Sequence, residues 1–145
     1  SGFRSGTEPM PQIAAFAQAC RIRAAHMAED VAHVAALKAY LIEQVEQRLP
    51  WAVWNGQGDV PHVVNLSLPG CKSEVMLRVL ESKDVFVSAG SACSKGKESM
   101  VLRAMGLDKK RIDSALRISF APFNITQDID ALLDGLEAGA KMLRR

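Results

Sequence analysis

The thiol of Cys93 is the side chain in this sequence that is best suited to covalent chemistry. Its neighbours are small or polar, and Gly90 and Gly96 bracket it with residues that adopt backbone angles other residues avoid. Nothing there is large enough to anchor the segment in a core, so we expect an accessible, mobile loop. Lys95 and Lys97 follow, and nearby positive charge favours the nucleophilic thiolate. The pattern predicts a reactive cysteine; the alternative is a buried, inert thiol, the commoner situation for a free cysteine.

The other cysteines and the histidines lack the spacing of a metal site. The three cysteines form no CxxC or Cys/His ligand pattern, which argues against a zinc site or a disulfide framework and favours a reducing cytoplasm. Cys20 lies on an apolar helical stripe, so we expect it in the core. His26 and His33 are two turns apart, whereas a helical metal pair usually lies at i and i+4, so a solvated or packed face is favoured. His62 is interpreted as structural, and we predict no bound metal.

Composition and charge exclude several classes of protein. A chain of 145 residues is normally one domain with a sizeable core. No apolar run approaches the roughly 18–20 residues of a membrane span, and the first residues lack the apolar centre of a secretory signal. The net charge is +2 and the basic residues are scattered, so neither a membrane nor a nucleic-acid partner is predicted.

Apolar spacing predicts one long helix and several shorter ones. The long pattern runs from residue 12 to residue 49, where Pro50 disfavours helical angles in the residue before it. It exceeds the usual globular length, so we expect a kink or break near Glu29 and Asp30. Shorter helices are predicted after a Ser73 cap, over residues 100–105 before a Gly106 C-cap, near Asp108, and after a Thr126 cap.

Alternating residues predict the strands that position the candidate side chains. Residues 51–54, 62–68 and 114–120 are expected to be strands, and 85–87 a short buried strand leading into the Cys93 loop. Asn65 falls on one face of its strand, and Arg117 points opposite an apolar face. Together the elements indicate an α+β fold, with a small, mostly antiparallel sheet covered by helices. No GxxxxGK, GxSxG, HExxH or GxGxxG motif occurs, so triphosphatases, serine hydrolases, zinc hydrolases and dinucleotide enzymes are not first choices.

Several segments resemble the cysteine desulfurases of the class V aminotransferase family. Residues 88–94, SAGSACS, look like the active-site loop of that family, Ser-Ser-Gly-Ser-Ala-Cys-Thr/Ser. Residues 4–9 resemble its Arg-x-Gly-Thr motif, and residues 63–67 the strand before its small-domain helix. Residues 101–107 and 116–120 resemble the segments downstream of its cysteine. Any one string is weak evidence, but these matches together, in the right order, are strong evidence.

The resemblance implies a pyridoxal-phosphate enzyme that works as a homodimer. It would convert L-cysteine to L-alanine and leave the sulfur as a persulfide on Cys93, for transfer to an acceptor or an iron–sulfur scaffold protein. Arg117 would bind the substrate carboxylate, with Asn65 also on the substrate side. Thr7 would donate its hydroxyl to the cofactor phosphate across the dimer interface. Without the resemblance, Arg117 is equally well explained as a surface residue, and Thr7 is better explained as a turn residue. Asn65 could then serve only to bridge backbone groups.

The family's cofactor-binding lysine is absent from this sequence. That lysine follows a histidine in a large N-terminal domain, and no His-Lys pair occurs here. We therefore expect residues 1–11 to be the end of a large domain and residues 12–145 to be the C-terminal small domain of a fold-type I enzyme. Alone, this polypeptide is predicted not to turn over cysteine.

Other classes of function remain open. The chain could be a stand-alone persulfide carrier, which needs Cys93 but neither Thr7 nor Arg117. It could be a docking module for sulfur-transfer proteins, with a cysteine of ordinary pKa near 8.5. Within the enzyme class, another class V aminotransferase or a selenocysteine lyase is an alternative, although a transaminase has no need of the loop cysteine.

Overall fold

The computed structural model describes residues 5–56, 58–89 and 99–144. In chain order its elements are α1 (Met10–Arg48), β1 (Val53–Trp54), β2 (Val63–Ser67), α2 (Ser73–Glu81), α3 (Met100–Ala104), α4 (Lys109–Asp113), β3 (Ala115–Ser119) and α5 (Thr126–Leu143). The strands form one sheet in the order β1-β2-β3, and both pairings are antiparallel. This arrangement confirms the predicted α+β fold with a small antiparallel sheet.

The sheet presents one apolar face and one polar face. Leu66 and Leu116 are directly opposed on β2 and β3, and both are fully buried. Ile118 is buried on the same face, whereas Arg117 and Ser119 are exposed on the other. Because successive residues of a strand point to opposite faces, the alternation in the sequence correctly predicted which face covers the core.

The core lies between that apolar face and three helices. Its fully buried side chains come from the C-terminal half of α1, from the sheet, and from α2 and α5: Leu41, Leu66, Leu68, Met76, Leu80, Leu116, Leu133 and Leu136. Two glycines of α5, Gly135 and Gly139, face Leu80 and Met76 of α2. The absence of a Cβ at these positions lets the two helices approach closely.

Helix α1 is longer than the rest of the domain can cover. Its 39 residues extend about 58 Å as one uninterrupted helix, without the break expected near Glu29 and Asp30. Burial begins only at Val34, so the N-terminal half projects beyond the core. The prediction that Cys20 is a core residue is therefore wrong, since Cys20 lies on this projecting half and is exposed. Helical spacing identifies an apolar stripe but not whether another element covers it.

Residues 85–87 do not form the predicted buried strand. Phe86 is 75% exposed, and the pairing in this region is a single antiparallel bridge between Ser88 and Arg117. The segment enters from Asp84, whose positive φ of 58° turns the chain after α2. One isolated bridge does not make a strand, so residues 85–87 lack the repeated backbone pairing that the sequence pattern predicted.

Two of the predicted helix caps are also wrong. The N-cap of α2 is Lys72 and that of α5 is Ile125, so Ser73 and Thr126 are the first helical residues. In α5 the carboxylate of Asp128 accepts the N–H of the N-cap residue Ile125 at 3.0 Å. Asp108 caps α4 by accepting from the Arg111 N–H at 2.9 Å, and Gly106 ends α3 with a φ of 76°.

Candidate functional site

A row of four polar residues crosses the sheet on the face away from the core. Asn65 on β2 is directly opposed to Arg117 on β3, and Arg117 is bridged in turn to Ser88. On the other side, the Asn55 N–H donates to the Asn65 carbonyl at 2.9 Å, which extends the row past the end of β1. Directly opposed residues place their Cβ atoms about 4.5–5.5 Å apart on the same face. The fold thus brings Asn65 and Arg117 together, as a shared substrate site requires.

Arg117 presents its guanidinium on an exposed part of this face. Its side chain is exposed, and no carboxylate in the described ranges lies within ion-pair distance of it. The strand holds its backbone on both sides, by the pairing with Asn65 and by the Ser88 N–H, which donates to the Arg117 carbonyl at 3.1 Å. A fixed backbone with a planar guanidinium that forms no ion pair to the described residues suits the recognition of a carboxylate through two parallel hydrogen bonds.

Asn65 belongs to a hydrogen-bonded cluster that the sequence did not predict. The Asn55 Nδ2 donates to Asn65 Oδ1 at 2.7 Å and to Ser67 Oγ at 2.6 Å. The Arg111 Nη2 donates to Asn55 Oδ1 at 2.7 Å, and Ser67 Oγ donates to the Arg111 carbonyl at 2.8 Å. Sequence reasoning missed Asn55 and Arg111 because they are 56 residues apart and neither belongs to a local motif. Asn65 therefore bonds to a side chain as well as pairing through its backbone.

The predicted nucleophile, Cys93, lies outside the described residues, as do Lys95 and Lys97. The described chain leads toward it along the candidate site, since Ser88 is bridged to Arg117. In the sequence, Cys93 follows Ser88 by five positions.

Thr7 does not join Arg117 and Asn65 within this chain. It is exposed, just before α1 begins, and about 36 Å of helix separates Met10 from Val34, the first buried residue of α1. A role for Thr7 at the same substrate would require a second copy of the chain or a different part of the protein to meet it.

The other two cysteines occupy opposite environments. Cys20 is exposed on α1, and Cys71 is buried. Burial raises the pKa of the Cys71 thiol, with a smaller opposing effect of the Arg144 charge. Since a buried thiol with a raised pKa is a poor nucleophile, Cys71 is not a candidate for the reactive residue.

The histidines do not form a metal site in the described structure. His33 Nε2 lies 2.9 Å from the Asn124 carbonyl, which ties α1 to the start of α5, and His26 is exposed near Glu29. No group of three potential ligands assembles anywhere in the described ranges. Likewise, none of the helices described is both long enough and apolar enough to cross a lipid bilayer.

The sequence matches the class-V aminotransferase family over residues 1–132. Among similar proteins, a cysteine desulfurase IscS of Vibrio vulnificus (strain CMCP6) is 37% identical over 147 aligned residues, covering 99% of this chain and 36% of the relative. A cysteine desulfurase of Pongo abelii is 33% identical, covering 99% of this chain and 32% of its own. The chain thus spans about a third of the length of these relatives.

Solved structures share the fold. A NifS-like protein superimposes with a TM-score of 0.82 at 25% identity, covering 98% of this chain and 36% of that one. A NifS-like protein from Rickettsia africae gives a TM-score of 0.81, also at 25% identity, covering 95% of this chain and 36% of its own.

Proposed function

Because this chain belongs to the class-V aminotransferase family, we propose that it is the C-terminal, sulfur-carrying part of a cysteine desulfurase. The complete enzyme would convert L-cysteine to L-alanine, with Cys93 receiving the sulfur. The observation that carries the proposal is the polar row, since Arg117 with its exposed guanidinium lies beside Ser88, in the segment that precedes Cys93 in the sequence. The cysteine desulfurases among the relatives support the same reaction.

In this reaction Arg117 would bind the substrate and Cys93 would attack its sulfur. The guanidinium of Arg117 binds the α-carboxylate and holds the amino acid against the polar face of the sheet. The Cys93 thiolate then attacks the substrate sulfur: a sulfur–sulfur bond forms, the carbon–sulfur bond breaks, and its electron pair stays on carbon, which takes up a proton to give alanine. Cys93 keeps the transferred sulfur as a persulfide, so no external oxidant or reductant is consumed.

Pyridoxal phosphate would supply the electron sink for this cleavage when bound. The residues of this chain fit part of its binding: Thr7 presents an exposed hydroxyl suited to a phosphate, and Arg117 an anchor for the substrate carboxylate. No lysine in the sequence follows a histidine, so the lysine that attaches the cofactor is assigned to the polypeptide beyond this chain. We propose that Thr7 acts across a homodimer interface, which accounts for its distance from the polar row.

The persulfide would be passed to an acceptor or an iron–sulfur scaffold protein in the cytoplasm. The division into residues 1–11 and 12–145 stays a prediction. So does the inactivity of this chain when it is alone.

The test is a comparison of three single cysteine variants in the complete enzyme, with alanine release and protein-bound persulfide as readouts. Cys93→Ser should abolish the persulfide and lower alanine release by roughly 100-fold or more, as expected when a nucleophile is removed. Cys20→Ser and Cys71→Ser should retain the persulfide. Full alanine release by Cys93→Ser would overturn the proposal.

A persulfide carrier without desulfurase activity is the main alternative, and Arg117 separates the two. In a desulfurase, Arg117→Ala raises the KM for L-cysteine and lowers sulfur loading from it. In a carrier, loading from a donor protein persists unchanged in the same variant.

A further inference from the structure

Arg111, Asn55, Ser67 and Asn65 form the hydrogen-bonded cluster described above. Arg111 determines which group of each side chain in it donates and which accepts. A guanidinium only donates, so the oxygen of the Asn55 amide must face it; Arg111 Nε and Nη2 reach Asn55 Oδ1 at 3.2 Å and 2.7 Å. Arg111 is itself held by a bond from Nη2 to the Trp54 carbonyl at 2.9 Å. The Asn55 amide therefore cannot rotate by 180° without placing its NH2 group against a cation.

Ser67 imposes the same direction independently. Its hydroxyl has one proton, which it donates to the Arg111 carbonyl at 2.8 Å. Toward Asn55 it can then only accept, and Asn55 Nδ2 lies 2.6 Å from its oxygen. Ser67 is fully buried and Asn55 is buried, so water does not compete for these bonds. The hydrogen bonds to Arg111 and to Ser67 therefore both require the Nδ2 atom of Asn55 to face β2.

The orientation of the Asn55 amide in turn fixes the orientation of the Asn65 amide. Asn55 Nδ2 donates to Asn65 Oδ1 at 2.7 Å, which commits the oxygen of the Asn65 amide to the β1 side. The remaining group of that amide is the NH2 donor, and it makes no hydrogen bond to the described residues. Asn65 is only half-buried, and its directly opposed neighbour is the exposed Arg117. The Asn65 NH2 group and the Arg117 guanidinium can only donate hydrogen bonds, and they are therefore neighbours on this face.

We propose that Arg111 is a positioning residue that, through Asn55, fixes the Asn65 amide as a donor, so that Asn65 and Arg117 together bind the α-carboxylate of the substrate. This rests on the proposed function for the identity of the substrate. A carboxylate accepts hydrogen bonds at both oxygens and satisfies both donors at once. If Asn65 were reversed, its oxygen would face the carboxylate and repel it.

Asn55→Asp is the sharpest test because it reverses the direction while preserving the packing. The aspartate still accepts from Arg111, and more strongly, but it cannot donate to Asn65, so Asn65 must turn its NH2 toward residue 55. In the complete enzyme we expect the KM for L-cysteine to rise about tenfold, the loss of one hydrogen bond to a charged group, with kcat changed less than about twofold. Arg111→Met should act in the same sense, and Lys110→Met, an exposed neighbour on α4, is the matched control.

Two further readouts distinguish this relay, the effect of Arg111 on the Asn65 amide through Asn55, from a purely structural role of Arg111. Adding Arg111→Met to Asn65→Ala should raise KM no further, because Arg111 acts through the amide that is already gone. The side-chain amide of Asn65 should also exchange its protons with solvent more slowly in Asn55→Asp than in the wild type.

An unchanged KM in Asn55→Asp, with Arg117→Ala still raising it, would overturn the relay and leave the proposed function standing. If Arg117→Ala also leaves KM unchanged, the carboxylate binds elsewhere and both proposals fail.

Discussion

Replacing Gly135 by alanine tests how closely α2 and α5 are packed. A Cβ at this position would lie 2.5 Å from Leu80 Cδ2, and 3.7 Å from Lys83 Cδ. Gly135 is buried, and Leu80 is fully buried. The added methyl group therefore has no space unless Leu80 changes rotamer or the helices move apart.

Two effects of opposite sign decide the result. Alanine is better than glycine in a helix interior by about 1 kcal/mol. Overpacking a well-packed core costs about 1–3 kcal/mol, because side chains leave their rotamer minima. Leu80 is surrounded by core residues and cannot swing into solvent, so we place the steric cost near the middle of that range. The expected net result is a loss of about 1 kcal/mol in the free energy of unfolding.

Urea unfolding of the chain measures the effect, and two variants separate the contributions. Ala131→Gly, at an exposed position of the same helix, should cost about 1 kcal/mol from helix propensity alone. In a Leu80→Ala background the steric conflict is removed, so Gly135→Ala should then stabilise the protein by about 1 kcal/mol. Stabilisation by Gly135→Ala in the wild type would refute the reasoning, since it would show that α2 and α5 leave room for a methyl group.

Two further predictions concern titration and thiol reactivity. Hydrogen bonding from Arg48, at 2.8 Å, lowers the pKa of the Glu137 carboxyl from its ordinary 4.5. The stability from this pair is therefore present above pH 4.5 and is lost as the pH falls through the lower folded pKa. The urea midpoints of wild type and Arg48→Met should move closer together as the pH is lowered from 7 to below 4.5; a gap that stays constant would contradict this. Cys20 should react with a thiol reagent in the folded protein, and Cys71 only after unfolding, because Cys20 is exposed and Cys71 is buried. Mass spectrometry of labelled peptides checks it, and equal labelling of both would show that Cys71 is accessible.

The sequence by itself determined the class of fold and the polarity of its main strands. Alternation predicted that Leu116 and Ile118 face the core while Arg117 faces away, because strand periodicity is local and each side chain's face follows from its position. It also determined the family resemblance through the loop around Cys93. Gly106 was recognised as a helix end for a local reason too, since its positive φ suits glycine.

Only the tertiary structure decided which polar side chains meet. Asn55 and Arg111 are 56 residues apart, and their hydrogen bonds exist because β1 and α4 converge at one edge of the β2 strand. The structure also decided that the apolar stripe around Cys20 stays exposed in this chain. Periodicity reports which face of a helix is apolar, but coverage depends on what else folds against that face, and no local pattern contains that information.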